Sequence, residues 1–434
     1  MSRAMKNSGI PWIGEIPSHW RVMPHKWVMH KEKDIKEKYA NEPILSLTMR
    51  GVIVRDLDAG GKMPTTFDGY QRVYPDDLLQ CLFDIDVTPR CVGLVRQAGL
   101  VSPAYSRFVM HPNAYTPYYD YLLRYMDDNK VLLHLSKNLR SSLTETDFGA
   151  IETCVPPMPE QQAIADYLDE KCGEIDKMVS LQERIIEELN AYKQSVITEA
   201  VCKGLNPNVP MKDSKIEWIG QIPEAWKTDR LKSLGFLYGG LSGKAGDDFN
   251  VDEEKDRFAL FIPFTNIWNN SFIDTSKLYK VKVEEGETQN EVFKDDILFL
   301  MSSEDYNGVG KPSLLRDSVP QLYLNSFCKG FRITSSSVCP TYLLYLLACE
   351  PIRNVVMSMG NGFIRINLRA DKLGTCPVLL PPLNEQQVIA DYLDTKCAEI
   401  DTLISLKQSK IDALKEYKKS IIYEYITGKK EVEA

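Results

Sequence analysis

Residues 156–172 read PPMPEQQAIADYLDEKC, and residues 381–397 read PPLNEQQVIADYLDTKC. Aligned without gaps at an offset of 225, segments 156–201 and 381–426 agree at 25 of 46 positions. A second echo precedes each copy: SGIPWIGEIPSHW from Ser8 returns as SKIEWIGQIPEAW from Ser214. The chain therefore runs short opener, insert, long repeat, and then the same order again. The two inserts show no comparable similarity. This is a duplication in which the frame was kept while its contents diverged.

The long repeat reads as helix. Ile164, Leu168, Ile175, Met178, Ile185, Leu189, Tyr192 and Val196 fall near a and d heptad positions in the first copy. The second gives Ile389, Leu393, Ile400, Leu403, Leu414, Tyr417 and Ile421. This spacing makes one apolar stripe on a helix and suits no strand. Lys171 and Gln182 interrupt the first stripe, so the expected packing is coiled-coil-like without being ideal. Prolines at 156, 157, 159, 381 and 382 mark the starts, and Gly204 and Gly428 the stops. Asn384 is the expected N-cap of the second helix, with Gln387 completing a capping box. Helices of roughly 40 residues span about 60 Å. The chain path predicts that they pair antiparallel, with an insert at either end. The alternative is that each packs separately on its own domain.

The expected fold class is α+β (mixed α/β). Two globular domains are separated by two long antiparallel coiled-coil-like helices, with an internal pseudo-two-fold repeat. The expected boundaries are an opener at 1–20, a first globular insert at 21–158 and a central long helix at 159–204. A linker with the second opener follows at 205–226. The second insert spans 227–383, the C-terminal long helix 384–428, and a tail 429–434. Strand-like runs in the inserts include PILSLTM, GVIVRDL, FALFIPF, YKVKVEE and KGFRITS, with short helices at YYDYLLRYMDD and TYLLYLLACE.

Composition agrees with a soluble chain of two or three domains: 434 residues, 44% hydrophobic and 26% charged. No apolar run reaches membrane-span length, and MSRAMKNSGIPW lacks the apolar core of a signal peptide, so a cytoplasmic location is expected. The ten cysteines contain no C-x-x-C pair and read as buried reduced thiols. The net charge of −8 is uneven. Residues 21–155 carry 17 basic and 17 acidic side chains and residues 227–383 carry 18 and 19, whereas 159–204 carries 5 against 10. The acidity lies in the repeats, and each nearly neutral insert is free to present a basic face.

Tools of catalysis are missing. YGGLSGKAGDD, from Tyr238, has Tyr238 where a phosphate loop needs glycine and Ala245 where it needs Ser or Thr. MGNGFIRIN from Met359 is no dinucleotide fingerprint, the base-holding motif N-P-P-[FY] of adenine methyltransferases is absent, and the five histidines form no H-x-x-x-H pair. No catalytic residue, metal site or cofactor is expected in this chain. What remains are side chains suited to nucleic acid, since Arg and Lys pair with guanine edges or phosphates and Asn with adenine. In the first insert these are Arg50, Arg55, Lys62, Arg72, Arg90, Arg96, Lys137, Asn138 and Arg140. In the second they are Lys244, Asn266, Asn269, Ser302, Ser303, Asn361, Arg365, Asn367 and Arg369. Each has the competing reading of an ordinary solvated surface residue.

The phrase P-P-x-x-E-Q-Q-x-I-x-x-Y-L-D at 156–169 and 381–394, and the openers W-I-G-x-I-P-x-x-W at 12–20 and 218–226, resemble a known family. It is that of the specificity subunits of Type I restriction-modification systems. GYQRVYPDDLL, GLVSPAYSRF, KDDILFLMSSED and LNSFCKGFR are similar to segments of that family's target-recognition domains. The resemblance implies that the inserts are two target-recognition domains, each reading one half of a bipartite double-stranded DNA site, with the helices as a ruler between them. It implies a non-catalytic chain held by two methyltransferase (modification) subunits that act on adenine N6, and by motor-endonuclease (restriction) subunits. S-adenosylmethionine, ATP and Mg2+ would belong to those partners. Trp12, Trp20, Glu160, Gln161, Gln162, Trp218, Trp226, Glu385, Gln386 and Gln387 are then candidates for partner docking, or for packing opener against helix. A protein-binding scaffold without a DNA role, or an enzyme with an unrecognised site in one insert, remain the rival readings.

Overall fold

The computed structural model describes residues 3–58, 64–136, 141–252, 254–362 and 364–432. The chain divides into two compact units: Met1–Glu183 with Gln408–Ala434, and Arg184–Lys407. The architecture is mixed α/β, as expected from the alternating strand and helix patterns.

In the first unit the insert is closed at its base by antiparallel pairing of Arg21–Pro24 with Glu152–Val155. Its centre is a four-stranded antiparallel sheet in the order Met29–Glu32, Ser106–Met110, Leu78–Gln80, Val92–Leu94. Helix Thr116–Asp128 belongs to the same core: Tyr118, Tyr119, Leu122, Leu123 and Met126 are fully buried, as are Leu78 and Val92. Pro117 at the start of that helix costs nothing, because the first N–H groups have no partner within the helix.

The second unit builds the same frame from unlike residues. Lys227–Arg230 pairs with Pro377–Leu380, and the sheet order is Gly235–Gly239, Cys328–Ile333, Ile297–Leu300, Pro312–Leu314. Helices Pro340–Ala348 and Glu350–Ser358 complete the core. A separate three-stranded sheet joins Tyr279–Lys282, Phe258–Ile262 and Leu322–Leu324.

One device recurs in both sheets. The adjacent aspartates 76–77 and 295–296 form tight turns, with Asp76 at φ 70° and Asp295 at φ 69°. The second aspartate of each pair is buried and takes a backbone N–H three residues upstream, from Tyr74 at 2.7 Å or Phe293 at 2.9 Å. Each is neutralised by an arginine of the neighbouring strand, Arg107 at 2.5 Å or Arg332 at 2.7 Å. A buried carboxylate persists only when paired in this way.

The long helices run from Met158 to Lys203 and from Leu383 to Ile426. Within the first unit, segment 158–183 lies antiparallel to 408–426: Asp176 meets Lys418 at 2.7 Å, and the Tyr167 and Tyr425 rings are 4.4 Å apart. Within the second, Lys193 meets Asp401 at 2.6 Å. These two ion pairs are copies of each other at the offset of 225. Each insert also grips the end of a long helix, through Tyr118 Oη donating to the Ile426 carbonyl and Tyr342 Oη to that of Val201. Both helices stop at glycines in the left-handed region, Gly204 at φ 78° and Gly428 at φ 68°. At Gly428 a Cβ would lie 2.8 Å from the Trp20 ring, so the opener seals the stop.

Two helix expectations are revised. Met178, Tyr192, Leu403 and Tyr417 are exposed, although their a/d spacing predicts burial. A helix with 3.6 residues per turn drifts about 20° per heptad, so a strict seven-residue stripe rotates away from its contacts. Asn384 is not the cap, because the helix already includes Leu383. The polar group tying down that start is Gln386. All ten cysteines are free and buried, no group of three or more His, Cys, Asp or Glu among the described residues could hold a metal ion, and no helix there is long and apolar enough to cross a membrane.

Candidate nucleic-acid interface

Beyond strand Ile297–Leu300 the chain turns outward, and Ser302–Ser303 pairs antiparallel with Ile366–Asn367. Asn361 and Asn367 exchange backbone hydrogen bonds of 3.0 and 2.9 Å, which ties 361–362 to 364–367 as the two arms of a hairpin. Gly362 has φ 147°, and a Cβ there would lie 2.0 Å from the Arg365 carbonyl oxygen, so only glycine fits. A third segment is fixed beside them. The Phe327 carbonyl accepts from the Met301 N–H at 3.2 Å, and its own N–H donates to Asn325 Oδ1 at 3.0 Å.

Together these segments wall a pocket of about 420 Å³ with Phe264, Trp268, Ser303, Glu304, Phe327 and Arg365 among its lining. Phe264 and Trp268 stack at 6.0 Å, and the loop after Ser303 lies so close to them that a Cβ on Gly308 would be 2.0 Å from the Trp268 ring. Two cations hold this loop and its floor. Arg353 donates to the Asn307 and Val309 carbonyls at 2.9 and 2.8 Å, and Lys311 donates to the Trp268 carbonyl. Burial penalises the charged form of both cations: it lowers the pKa of Arg353 to about 10 and lowers that of Lys311, which the nearby Arg353 charge lowers further. At the rim, the Arg365 guanidinium carbon lies over the half-exposed Phe327 ring, 5.5 Å from its centroid. Aromatic faces, a cation, carboxylates and hydroxyls thus converge on one concave surface, a combination suited to base edges.

The structure brings Ser302, Ser303, Asn361, Arg365 and Asn367 together here. Asn367 acts within the hairpin, donating through Nδ2 to the Arg365 carbonyl at 3.1 Å. Arg369 is exposed and paired with Asp371 at 2.9 Å. Lys244 is buried against Glu287 at 2.7 Å, so its reading as a nucleic-acid contact gives way to a structural ion pair. Asn266 is also structural: buried, it donates to the Asp274 and Lys277 carbonyls. Asn269 is exposed at the end of helix Phe264–Asn269.

In the first insert Arg50 is exposed at the tip of the hairpin Leu45–Thr48/Gly51–Val54, its N–H held by Thr48 Oγ1 at 3.1 Å. Arg96 is exposed after strand Val92–Leu94, and Arg55 is half-buried. Arg72 is bound to Asp34 at 2.8 Å, and Arg90 to Asp128 at 2.8 Å and Asp127 at 3.3 Å, so both are occupied within the fold. Lys62, Lys137, Asn138 and Arg140 lie outside the described residues. Sequence reasoning passed over Phe264, Trp268, Phe327 and Glu304. The signal was the aromatic content of FIPFTNIW and LNSF, which local pattern alone does not separate from core.

The repeated motif residues divide by burial. Gln161 is fully buried and bonds three backbone groups: its Nε2 donates to Asn113 O at 3.0 Å and Pro156 O at 2.8 Å, and its Oε1 accepts from Tyr115 N at 2.8 Å. Gln386 repeats this with Ser337 O, Pro381 O and Cys339 N, all at 2.9 Å. Trp20 is buried and donates to Glu160 at 2.9 Å, while Arg3 and His19 also meet that carboxylate. Trp226 is buried and Trp12 stacks on Tyr125 at 5.8 Å. Glu385 is half-buried near Gly204. Gln162, Gln387 and Trp218 are exposed.

Residues 223–428, which include this pocket, match the family described as the Type I restriction modification DNA specificity domain. Over 96% of its length the chain is 25% identical to a putative Type I restriction enzyme MjaX specificity subunit of Methanocaldococcus jannaschii, covering 95% of that protein. Among solved structures, one described as the structural basis of complex assembly and conformational transition of the Type I R-M system superposes with a TM-score of 0.70 at 14% identity. That alignment covers 95% of this chain and 99% of the other. The HsdS subunit of Thermoanaerobacter tengcongensis gives 0.51 at 15% identity, over 95% and 98%. Residues 223–428 thus match a DNA specificity domain, and nearly the whole chain shares the fold of these solved structures and is similar to a Type I restriction enzyme specificity subunit.

Proposed function

We propose that each insert reads one half of a bipartite site on double-stranded DNA, and that the two long helices set the unread spacer between the halves. The observation that carries this is the pocket of the second insert, where the 302–303/366–367 pairing places Arg365 over the exposed ring of Phe327 from a neighbouring segment. The shared sheet order of both inserts supports two readers of one kind on a duplicated, pseudo-two-fold frame. Helices of 46 and 44 residues, whose segments pair antiparallel within each unit, support the ruler. Arg50 at its hairpin tip and Arg96 are the contacts we assign to the first reader.

Two methyltransferase subunits would bind the constant parts, through exposed positions such as Gln162, Gln387 and Trp218. They would supply S-adenosylmethionine and methylate adenine N6, and ATP-dependent motor-endonuclease subunits would complete the cytoplasmic complex. The test is to map N6-methyladenine in a host carrying this chain and its methyltransferase. A motif of two short halves around an unread gap is expected. Methylation at an uninterrupted motif, or none, would overturn the proposal.

A further inference from the structure

We infer that Arg365 reads a guanine in the half-site of the second insert. This rests on the DNA-reading role proposed above and adds which residue reads which base.

The neighbouring cations are already engaged. Arg353 and Lys311 are turned onto carbonyls beneath the loop, and Arg369 is neutralised by Asp371. Arg365 has no carboxylate within ion-pairing distance among the described residues; its guanidinium lies over the Phe327 ring. A guanidinium held near a ring and by no carboxylate keeps N–H groups available, and a pair of them matches the O6 and N7 acceptors that guanine alone offers in the major groove. The backbone is hydrogen-bonded on both sides of this contact. Arg365 sits next to the strand pair Ser303/Ile366 with its carbonyl held by Asn367, and Phe327 is fixed at both its N–H and its carbonyl.

A phosphate is the rival ligand, since arginine binds both. Charge on the pocket wall decides between them. Glu304 and Asp305 line the same pocket, and Glu304 is exposed with no partner among the described residues. Carboxylates on the same pocket wall repel a phosphate, whereas they accept hydrogen bonds from the exocyclic amines of cytosine or adenine. A wall carrying both signs suits base edges, which present donors and acceptors side by side.

The experiment is N6-methyladenine mapping with the full chain, its methyltransferase, and R365A, R365K and R365Q in turn. The unaltered chain is expected to show a guanine in one half-site. In R365A that single position becomes degenerate, with discrimination lowered roughly ten- to hundredfold. The other half-site and the spacer stay as they were, which also reports that the variant is folded. R365Q shifts the position toward adenine, and R365K retains guanine with weaker preference. An unchanged motif in R365A and R365Q, or a uniform loss of methylation without change of motif, overturns the inference by making Arg365 a bystander or a phosphate contact. Should R365A fail to accumulate, R365Q decides by the same readout. Absence of bipartite methylation with the unaltered chain would instead sink the DNA-reading role itself.

Discussion

His25 shows how one side chain can tie stability to pH. It follows strand Arg21–Pro24, is fully buried, and packs on the Phe148 ring at 4.7 Å. Burial penalises the charged imidazolium and lowers the pKa from 6.5 to about 4. Between those values the unfolded chain binds a proton that the folded chain refuses, so stability is complete above pH 6.5 and falls as the pH drops. The expected loss from this group is about 2 kcal/mol at pH 5 and about 3 kcal/mol near pH 4. Urea unfolding at pH 7 and pH 5 checks it: H25F should narrow the difference between the two, and an equal difference in both proteins would refute it. Asp77 makes the complementary case. Its carboxylate and the Arg107 guanidinium are both buried, so D77A removes the nearer counter-charge and leaves Arg107 with the exposed Glu32 at 3.4 Å. A cost of about 1–3 kcal/mol is expected, visible as a lowered Tm.

Between elements, two kinds of polar contact look equally regular in the duplicated frame and differ in worth. The Lys193–Asp401 and Lys418–Asp176 pairs carry partly or fully exposed side chains, and pairs of that kind contribute under about 1 kcal/mol. Gln386, by contrast, satisfies three backbone groups where the second insert meets its helix. Removing it strands buried donors and acceptors at about 1–3 kcal/mol each. K193A should therefore leave the unfolding midpoint almost unchanged, while Q386A lowers it by several degrees; the reverse order in thermal melts would contradict this. At the pocket, G308A drives a methyl group into Trp268 and Ser303. Overpacking of about 1–3 kcal/mol is expected, with discrimination falling in the second half-site alone when methylated motifs are sequenced.

At the scale of the molecule, the prediction concerns length. Four residues inserted in one long helix extend it by about 6 Å, close to the rise of one or two base pairs. Methylome sequencing should show the spacer grown by one or two base pairs with both half-sites intact. An altered half-site beside an unaltered spacer would reject the ruler.

The duplicated segments 156–201 and 381–426 were legible because helices and their ends are local: apolar periodicity, prolines and the stops at Gly204 and Gly428 all lie within one stretch of chain. The opener's tryptophans and the repeated Gln161 and Gln386 were visible as a pattern, while their burial was not. The sequence by itself determined that there are two copies of one frame, each built on a long helix. Only the tertiary structure decided that the unlike inserts share one sheet order, that Arg90 and Lys244 are occupied by internal carboxylates, and that Ser302–Ser303 meets the hairpin carrying Arg365. Those outcomes rest on pairings between segments tens of residues apart, which are fixed by burial and close packing of the whole unit. No local run of residues records them.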